Sequence, residues 1–280
     1  MSEPISRFVR GSPRLHYLEW NPSGTRTLVL LHGVTANAWW WEDFVSYMPG
    51  NLRLLALDQR GHGDSHWVSP PAYGPADYAH DIGRFLDSCR LPDAIIVGHS
   101  QGGINGLAFV RDRPHAARAV AAIDIALTST PRRDRFLVRL KNLPTVVYPD
   151  LATAKARFRL MPREGDIPAD VLARVAEKSL KPAPAGGYTF KFDRDSFYGS
   201  DGLDVLEAIR TLRVPLLLVR GGRSRIMTAD AAQRALTLNP LARLAVIEDA
   251  HHHVPIERPA ALAALVCQFV QGLVTGQPGK

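Results

Sequence analysis

Cysteine is nearly absent from this sequence: Cys89 and Cys267 are the only two, and neither stands in a metal-type spacing. That excludes a disulfide-stapled scaffold and a thiolate metal site, and makes a reducing, cytoplasmic compartment the expectation. No stretch approaches the roughly 18 consecutive apolar residues of a membrane helix, so no membrane partner is expected. Met1–Arg7 lacks an apolar run behind a basic start, so no secretory signal is expected either. There is no internal repeat and no low-complexity tract. What is present is a chain of 280 residues, 46% hydrophobic and 22% charged. That composition buries a real core in one large domain or two small ones, and excludes a disordered or collagen-like chain.

Acidic residues are in short supply, 27 Asp and Glu against 34 Lys and Arg, for a net charge of +7. Much of the excess sits between Pro131 and Arg163, where Arg132, Arg133, Arg135, Arg139, Lys141, Lys155, Arg157, Arg159 and Arg163 face only Asp134 and Asp150. No aromatic RNA-binding motif, zinc spacing or leucine-zipper pattern accompanies them, so nucleic acid is not the expected partner. A solvated basic face and a basic pocket entrance, with Arg157 and Arg159 as its candidates, both stay open.

Short apolar runs alternate with longer amphipathic stretches, which predicts an α/β sheet. Strands are expected at Thr27–Leu31, Leu52–Leu57, Ala94–Val97, Val120–Ile123 and Val214–Val219, with Leu244–Ile247 a weaker case. Their near-continuous apolar character means that both faces are covered, hence central and mostly parallel strands. Arg14–Trp20 alternates better and predicts an outer, antiparallel strand. Helices are expected at Trp39–Met48, Ala76–Cys89, Gln101–Arg113, Thr228–Leu238 and Pro259–Val274. Residues 127–210 break the rhythm, with seven prolines between Pro131 and Pro184 and one β-like run, Tyr188–Phe192. This helical insert divides a core of residues 1–126 and 211–280. It is too long for a simple crossover and is expected over the carboxyl ends of the strands, where open α/β sheets bind ligands.

The strongest chemical signal is Gly98-His99-Ser100-Gln101-Gly102, directly after one apolar strand and directly before a helix. A nucleophile elbow needs that context. The flanking glycines, Gly98 and Gly102, permit a turn too tight for Cβ atoms, and the serine is pushed out above the sheet beside the free N–H groups of the helix. Leu30–Thr35 ends an earlier strand. Gly33 lets the backbone approach a ligand there, and the Val34 N–H, with that of Gln101, is placed to hold an oxyanion. Asp58–Ser65 follows the next strand and reads as structural, with Asp58 and Arg60 tying loops together. Of Trp39, Trp40 and Trp41 at least one is core, since three consecutive aromatics cannot share one helix face; Trp39 and Trp40 are candidates for a pocket wall. In the insert Phe158, Leu160, Met161, Phe190, Phe192, Phe197 and Tyr198 either line a hydrophobic pocket or pack the insert itself.

With the His32-Gly33 segment, the Asp58–Ser65 loop, the Gly98–Gly102 elbow and a late histidine in this order, nearly the whole chain resembles the α/β-hydrolase superfamily. The resemblance implies an eight-stranded, mostly parallel sheet flanked by helices, with an inserted helical cap after the sixth strand. It also implies a nucleophile–acid–histidine triad. His251, His252 and His253 are the candidate bases. The family's histidine is followed five residues on by Glu and seven on by Pro, which from Glu257 and Pro259 selects His252; a His-rich metal site is the minor alternative. The usual acid position, after the family's seventh strand, holds Ser224 in Arg220-Gly221-Gly222-Arg223-Ser224-Arg225. A minority of the superfamily takes the acid from the end of the sixth strand, which here ends in Asp124. Asp230 and Asp249 are the disfavoured alternatives.

The implied function is a serine esterase acting through an acyl-enzyme on a small or medium ester, with no metal or organic cofactor. Amide, lactone or carbon–carbon cleavage of an acidic substrate uses the same residues, and a slow-turnover ligand receptor is the non-enzymatic alternative. Monomer and homodimer are both open.

Overall fold

The computed structural model describes residues 3–197 and 203–275. Within them run β1 (Ile5–Val9), β2 (Leu15–Trp20), β3 (Arg26–Leu31), β4 (Leu52–Leu57), β5 (Ile95–His99), β6 (Ala119–Ile123), β7 (Leu180–Pro182), β8 (Tyr188–Phe190), β9 (Leu216–Gly221) and β10 (Ala242–Ile247). The helices are α1 (Glu42–Ser46), α2 (Pro75–Cys89), α3 (Gln101–Asp112), α4 (Pro131–Lys141), α5 (Leu151–Arg157), α6 (Ala169–Ser179), α7 (Val205–Thr211), α8 (Ala229–Leu238), α9 (Val254–Glu257) and α10 (Pro259–Thr275). Eight strands form one sheet in the order β1-β2-β4-β3-β5-β6-β9-β10. β1 and β2 are antiparallel to their neighbours and the rest are parallel.

The apolar runs are continuous because each strand feeds two cores. Val29 and Leu31, Leu55 and Leu57, Val120 and Ala122, Leu216 and Leu218 point to one side, where α2, α3, α7 and α8 cover them. Leu28 and Leu30, Leu54 and Ala56, Ala121 and Ile123, Leu217 and Val219 point to the other, under α1 and α10. This is the period-two alternation of a strand with both faces apolar. The chain leaves β3 for β4 on one side and returns to β5 on the other. That reversal opens a crevice at the carboxyl ends of β3 and β5, where the His32–Thr35 loop and Ser100 lie.

Three local expectations are corrected. β1 was not foreseen: it is an edge strand with four of five residues exposed, so burial imposes no pattern on it. The segment expected as one helix from Trp39 opens instead as a 3₁₀ turn, Ala38–Trp41, because the Asn37 side chain accepts the Trp39 N–H and fixes a tighter start. In the insert the β-like run Tyr188–Phe192 holds β8, and the strand not expected is β7, which pairs with it as a small antiparallel ribbon. In addition, Leu203, Val205, Ala208 and Ile209 pack in the layer that covers the sheet, although they precede the boundary expected at residue 210.

The insert sits against the loops at the strand ends. Asn37 donates to the Lys178 carbonyl at 3.1 Å, and the Trp40 indole donates to Ser179 Oγ at 3.2 Å. Gly63 N–H donates to the Lys191 carbonyl and Asp193 N–H to the Gly61 carbonyl, each at 2.7 Å. Gln101 Nε2 donates to the Ser196 carbonyl at 3.1 Å, and the Tyr73 hydroxyl to Asp193 at 2.6 Å.

Candidate active site

Ser100 sits at the turn from β5 into α3 with φ +52° and ψ −122°, a backbone state costly for a side chain and tolerated only where the surroundings enforce it. The enforcement is steric. A Cβ on Gly98 would lie 2.5 Å from Gly103 Cα, and one on Gly102 would lie 2.3 Å from the Leu31 carbonyl oxygen. Helix α3 is thereby pressed against β3 and β5. Gly103, not among the sequence candidates, belongs to this set: its Cβ would meet Ile125 at 2.5 Å. The doublet Gly102-Gly103 was the available signal.

Three side chains from three strand ends form one hydrogen-bonded chain. His252 Nε2 stands 3.1 Å from Ser100 Oγ, and His252 Nδ1 stands 3.1 Å from Asp124 Oδ1. Asp124 is completely buried. Its Oδ1 also accepts from Ser224 Oγ at 2.7 Å, and its Oδ2 from the Gly221 N–H at 2.8 Å. With three donors around the carboxylate, His252 carries its proton on Nδ1 and leaves Nε2 free to accept from the serine hydroxyl. Asp230 and Asp249 are elsewhere. Asp230 is exposed on α8, and Asp249 pairs with Arg258 at 2.6 Å.

The two flanking histidines hold the loop rather than replace His252. His251 pairs through Nδ1 with Glu257 at 3.1 Å, and Glu257 also accepts the backbone N–H groups of His251 and His253, each at 2.9 Å. His253 Nε2 donates to the Pro162 carbonyl at 2.8 Å. His99 Nε2 donates to the His252 carbonyl at 2.8 Å, its ring 4.8 Å from that of His252. In the sequence Glu257 serves only as a spacing marker, and nothing there singles out His99.

Burial disfavours the charged form of His99, His253 and His62. It pushes His99 well below the usual histidine range, helped by His252 and His253. His253 is brought down to about 3 by burial and by His252, and His62 to about 3 by burial and by His32.

On the other side of Ser100, Gly33 lies so close that a Cβ would stand 3.2 Å from Ser100 Cβ and 3.1 Å from His99 Nδ1. The N–H groups of Val34 and Gln101 have no acceptor among the described residues. The loop behind is braced. His32 Nε2 accepts the Gln59 N–H at 3.0 Å and the Gln59 amide donates to the His32 carbonyl at 2.7 Å. Burial alone would raise the Asp58 carboxyl, but the hydrogen bond and charge of His16, with His32 and the Asp64 N–H, bring it below its ordinary value. His16, Asp58 and Asp64 gather three potential metal-donor atoms within 4.8 Å. Both Asp58 oxygens, however, already accept from Ala38 N–H, His16 and Asp64 N–H. The cluster is a loop brace.

The three tryptophans part company. Trp41 is buried against the sheet, Trp40 joins Phe158, Leu160, Val175 and Ile256 where the insert meets the core, and Trp39 lies under the Lys178 ammonium at 3.9 Å. Arg157 and Arg159 are exposed, and Arg159 turns back to the carbonyls of Ala156 and Phe158. Within the insert Phe192 packs against Phe190 and meets Phe197 edge-on; Tyr198 lies outside the described residues.

Ser100 thus stands on a strand–elbow–helix turn at a topological switch and is linked through the His252 imidazole to the buried carboxylate of Asp124. The sequence profile of the alpha/beta hydrolase family matches residues 28–265, and the chain belongs to that family. Its relatives include 2-(acetamidomethylene)succinate hydrolase of Mesorhizobium japonicum, 28% identical over 87% of each chain, and lipase LipV of Mycobacterium tuberculosis, 26% identical over 90% of this chain and 96% of that one. The crystal structure of E-2-(acetamidomethylene)succinate hydrolase superposes with a TM-score of 0.83 at 29% identity, covering 96% of this chain and 99% of the other. Among the described residues no helix is long and apolar enough to cross a membrane.

Proposed function

We propose that this hydrolase cleaves a carboxylic ester of a small or medium organic substrate through an acyl-enzyme, with Ser100 as nucleophile, His252 as general base and acid, and Asp124 as the acid of the triad. The observation that carries the reading is the unbroken chain Ser100–His252–Asp124, 3.1 Å at each link, ending on a buried carboxylate. Ser100 Oγ attacks the carbonyl carbon as its proton passes to His252 Nε2. The resulting oxyanion takes the free N–H groups of Val34 and Gln101. His252 then returns the proton to the departing alcohol, leaving the acyl group on Ser100. Water, deprotonated by the same nitrogen, releases the acid and restores the serine.

The residues between β6 and α7 act as a cap over this site, and Trp40 contributes to the joint between cap and core. The same machinery cleaves an amide, and one relative bears the name of an acetamido-substituted succinate. That name supports a second reading, amide hydrolysis of an acidic substrate. Comparing kcat/KM on a neutral ester and on an acetamido dicarboxylate separates the two.

The primary test is labelling by a fluorophosphonate together with multiple-turnover hydrolysis of a chromogenic ester. Wild type is expected to show both and Ser100→Ala neither, with kcat down by about 10⁴ or more. Labelling followed by a single slow turnover would favour the receptor alternative. Hydrolysis unimpaired in Ser100→Ala would remove the mechanism.

A further inference from the structure

Helix α4 is unlike the other long helices, because none of its eleven residues is buried. Eleven large apolar side chains are exposed among the described residues, and five of them, Phe136, Val138, Leu143, Val146 and Val147, fall between positions 136 and 147. Phe136, Val138 and Val147 are each about half exposed, at 49%, 54% and 52%. Single exposed apolar residues are ordinary, but a concentration of them marks a contact surface.

Cations share this surface. Arg132, Arg135 and Arg139 are exposed, and at spacings of three and four they line one side of the helix. Val138 and Phe136 flank that row at its two edges. The three arginines have no carboxylate partner among the described residues. The nearby acids are engaged elsewhere, Asp134 with Ser129 at 2.6 Å and Asp195 with Lys141 at 3.3 Å.

The segment is nonetheless held in place from behind. Arg194 donates to the Leu140 carbonyl at 2.9 Å, Thr189 Oγ1 donates to the Val146 carbonyl at 2.8 Å, and Tyr148 exchanges backbone hydrogen bonds with Tyr188 at 2.8 Å. A supported backbone thus presents exposed arginines and exposed apolar side chains within one short stretch, with none of the described residues covering them.

We propose that α4 and residues 143–147 dock the protein peripherally on a lipid surface bearing anionic headgroups. Such a surface offers phosphates at the depth of the guanidinium groups and acyl carbon just beneath for Phe136, Val138 and Val147. A nucleic acid would satisfy the arginines but leave the apolar side chains wet. A two-fold dimer would set the arginine row against its own copy. The sequence expectation of no membrane partner rested on the lack of a spanning segment, which peripheral docking does not need. The proposal is independent of the ester reading, since it is measured by binding and not by turnover.

The test is co-sedimentation of the full chain with vesicles of phosphatidylcholine, alone or mixed with phosphatidylglycerol. Wild type is expected to pellet with the mixed vesicles and to stay in solution with the neutral ones. At about fivefold per arginine, the triple variant Arg132→Gln, Arg135→Gln, Arg139→Gln loses about 100-fold in partitioning. Phe136→Ser, Val138→Ser, Val147→Ser loses about tenfold or more. Both variants are first checked for an unchanged circular dichroism spectrum and Tm. No enrichment of wild type on the mixed vesicles would overturn the proposal. Enrichment untouched by the apolar triple variant would also overturn it, because simple charge adsorption would then suffice. A dimer in sedimentation velocity that the same substitutions dissolve would give the face to a second copy instead.

Discussion

Replacing Asp124 by Asn, and Ser224 by Ala, separates the two roles that the proposed triad divides between neighbouring strand ends. Asp124 is surrounded by donors only: Ser224 Oγ and His252 Nδ1 on one oxygen and the Gly221 N–H on the other. An amide brings two N–H donors into this fully buried place. If its nitrogen takes the Oδ2 position it faces the Gly221 N–H, and one buried donor goes unpaired at about 1–3 kcal/mol of stability. If it takes the Oδ1 position it faces His252 and drives the imidazole to the tautomer that cannot accept from Ser100. Either way the negative charge that stabilises the imidazolium is lost. By analogy with other triads, kcat falls by about 10⁴, roughly 5.5 kcal/mol of barrier. Ser224→Ala removes one donor to Asp124 and the acceptor of the Ile226 N–H at 3.0 Å, but leaves the charge. A loss of about tenfold is expected, near the worth of one hydrogen bond. The assay is kcat on a chromogenic ester, normalised to active sites titrated with a fluorophosphonate, beside a Tm for each variant. The double variant Asp124→Asn, Ser224→Asp returns a carboxylate from the β9 side and is expected to recover part of the activity lost in Asp124→Asn. If Asp124→Asn stays within tenfold of wild type, or Ser224→Ala is as damaging, the assignment of the acid fails.

Other consequences follow from the same contacts. His62 and His253 are held near pKa 3 in the fold, first by burial and then by neighbouring imidazoles. Their folded values lie below the unfolded one, so their contribution is full above about pH 6.5 and declines as pH falls toward 3. At pH 5 each removes about 2 kcal/mol; a Tm that does not change between pH 7 and 5 would contradict this. Gly102→Ala drives a Cβ into backbone at 2.3 Å, whereas Gly50→Ala meets nothing within 4 Å. Thermal melts should show a loss of 3 kcal/mol or more for the first and about 1 kcal/mol or less for the second. Glu257→Gln keeps the shape but removes one acceptor from the clamp on His251 and His253. It should lower kcat by about tenfold with little change in KM, as steady-state kinetics will show.

What could be read from the sequence follows burial. Strands β3 to β6 and β9 were legible because both of their faces are packed, so that their central positions are apolar on both sides. β1 was not, because an edge strand with one buried residue, Val9, carries no pattern. β8 lies inside the β-like run Tyr188–Phe192, but its partner β7 escaped because it is three residues long and ends in Pro182. At the site, Ser100 was legible because its backbone conformation requires the glycines around it, and glycines are visible in a sequence. His99 and the Asn37–Ser179–Trp40 contact were not, because each joins segments far apart in the chain, with His99 reaching His252 across 153 positions. The exposed face of α4 was equally hidden. Arg132, Arg135 and Arg139 in a sequence look the same whether Phe136 and Val138 are buried or bare.

The position of the proposed acid, Asp124, gives a physical reason why a triad carboxylate can change strands without changing its task. β6 and β9 are neighbours in the sheet, and their carboxyl ends open onto the same point. Asp124 leaves β6 with φ +44°, which turns its side chain sideways, while its N–H is fixed to the Val219 carbonyl at 2.7 Å. The carboxylate thus reaches across to the end of β9 and takes the Gly221 N–H there. Ser224, at the position where relatives of this type commonly carry the acid, donates to that same carboxylate. What the imidazole senses is where the charge sits. The charge comes from β6 but is held in the β9 turn, and a serine at 224 is what that arrangement needs: a second carboxylate 2.7 Å away would repel the first and raise the pKa of the pair. Adding an acid at 224 while Asp124 remains, as in Ser224→Asp alone, is therefore expected to harm the enzyme more than Ser224→Ala. It should also shift the acidic limb of the kcat–pH profile upward. A Ser224→Asp enzyme with wild-type kcat and an unmoved acidic limb would show that the β9 turn does not share the charge of Asp124.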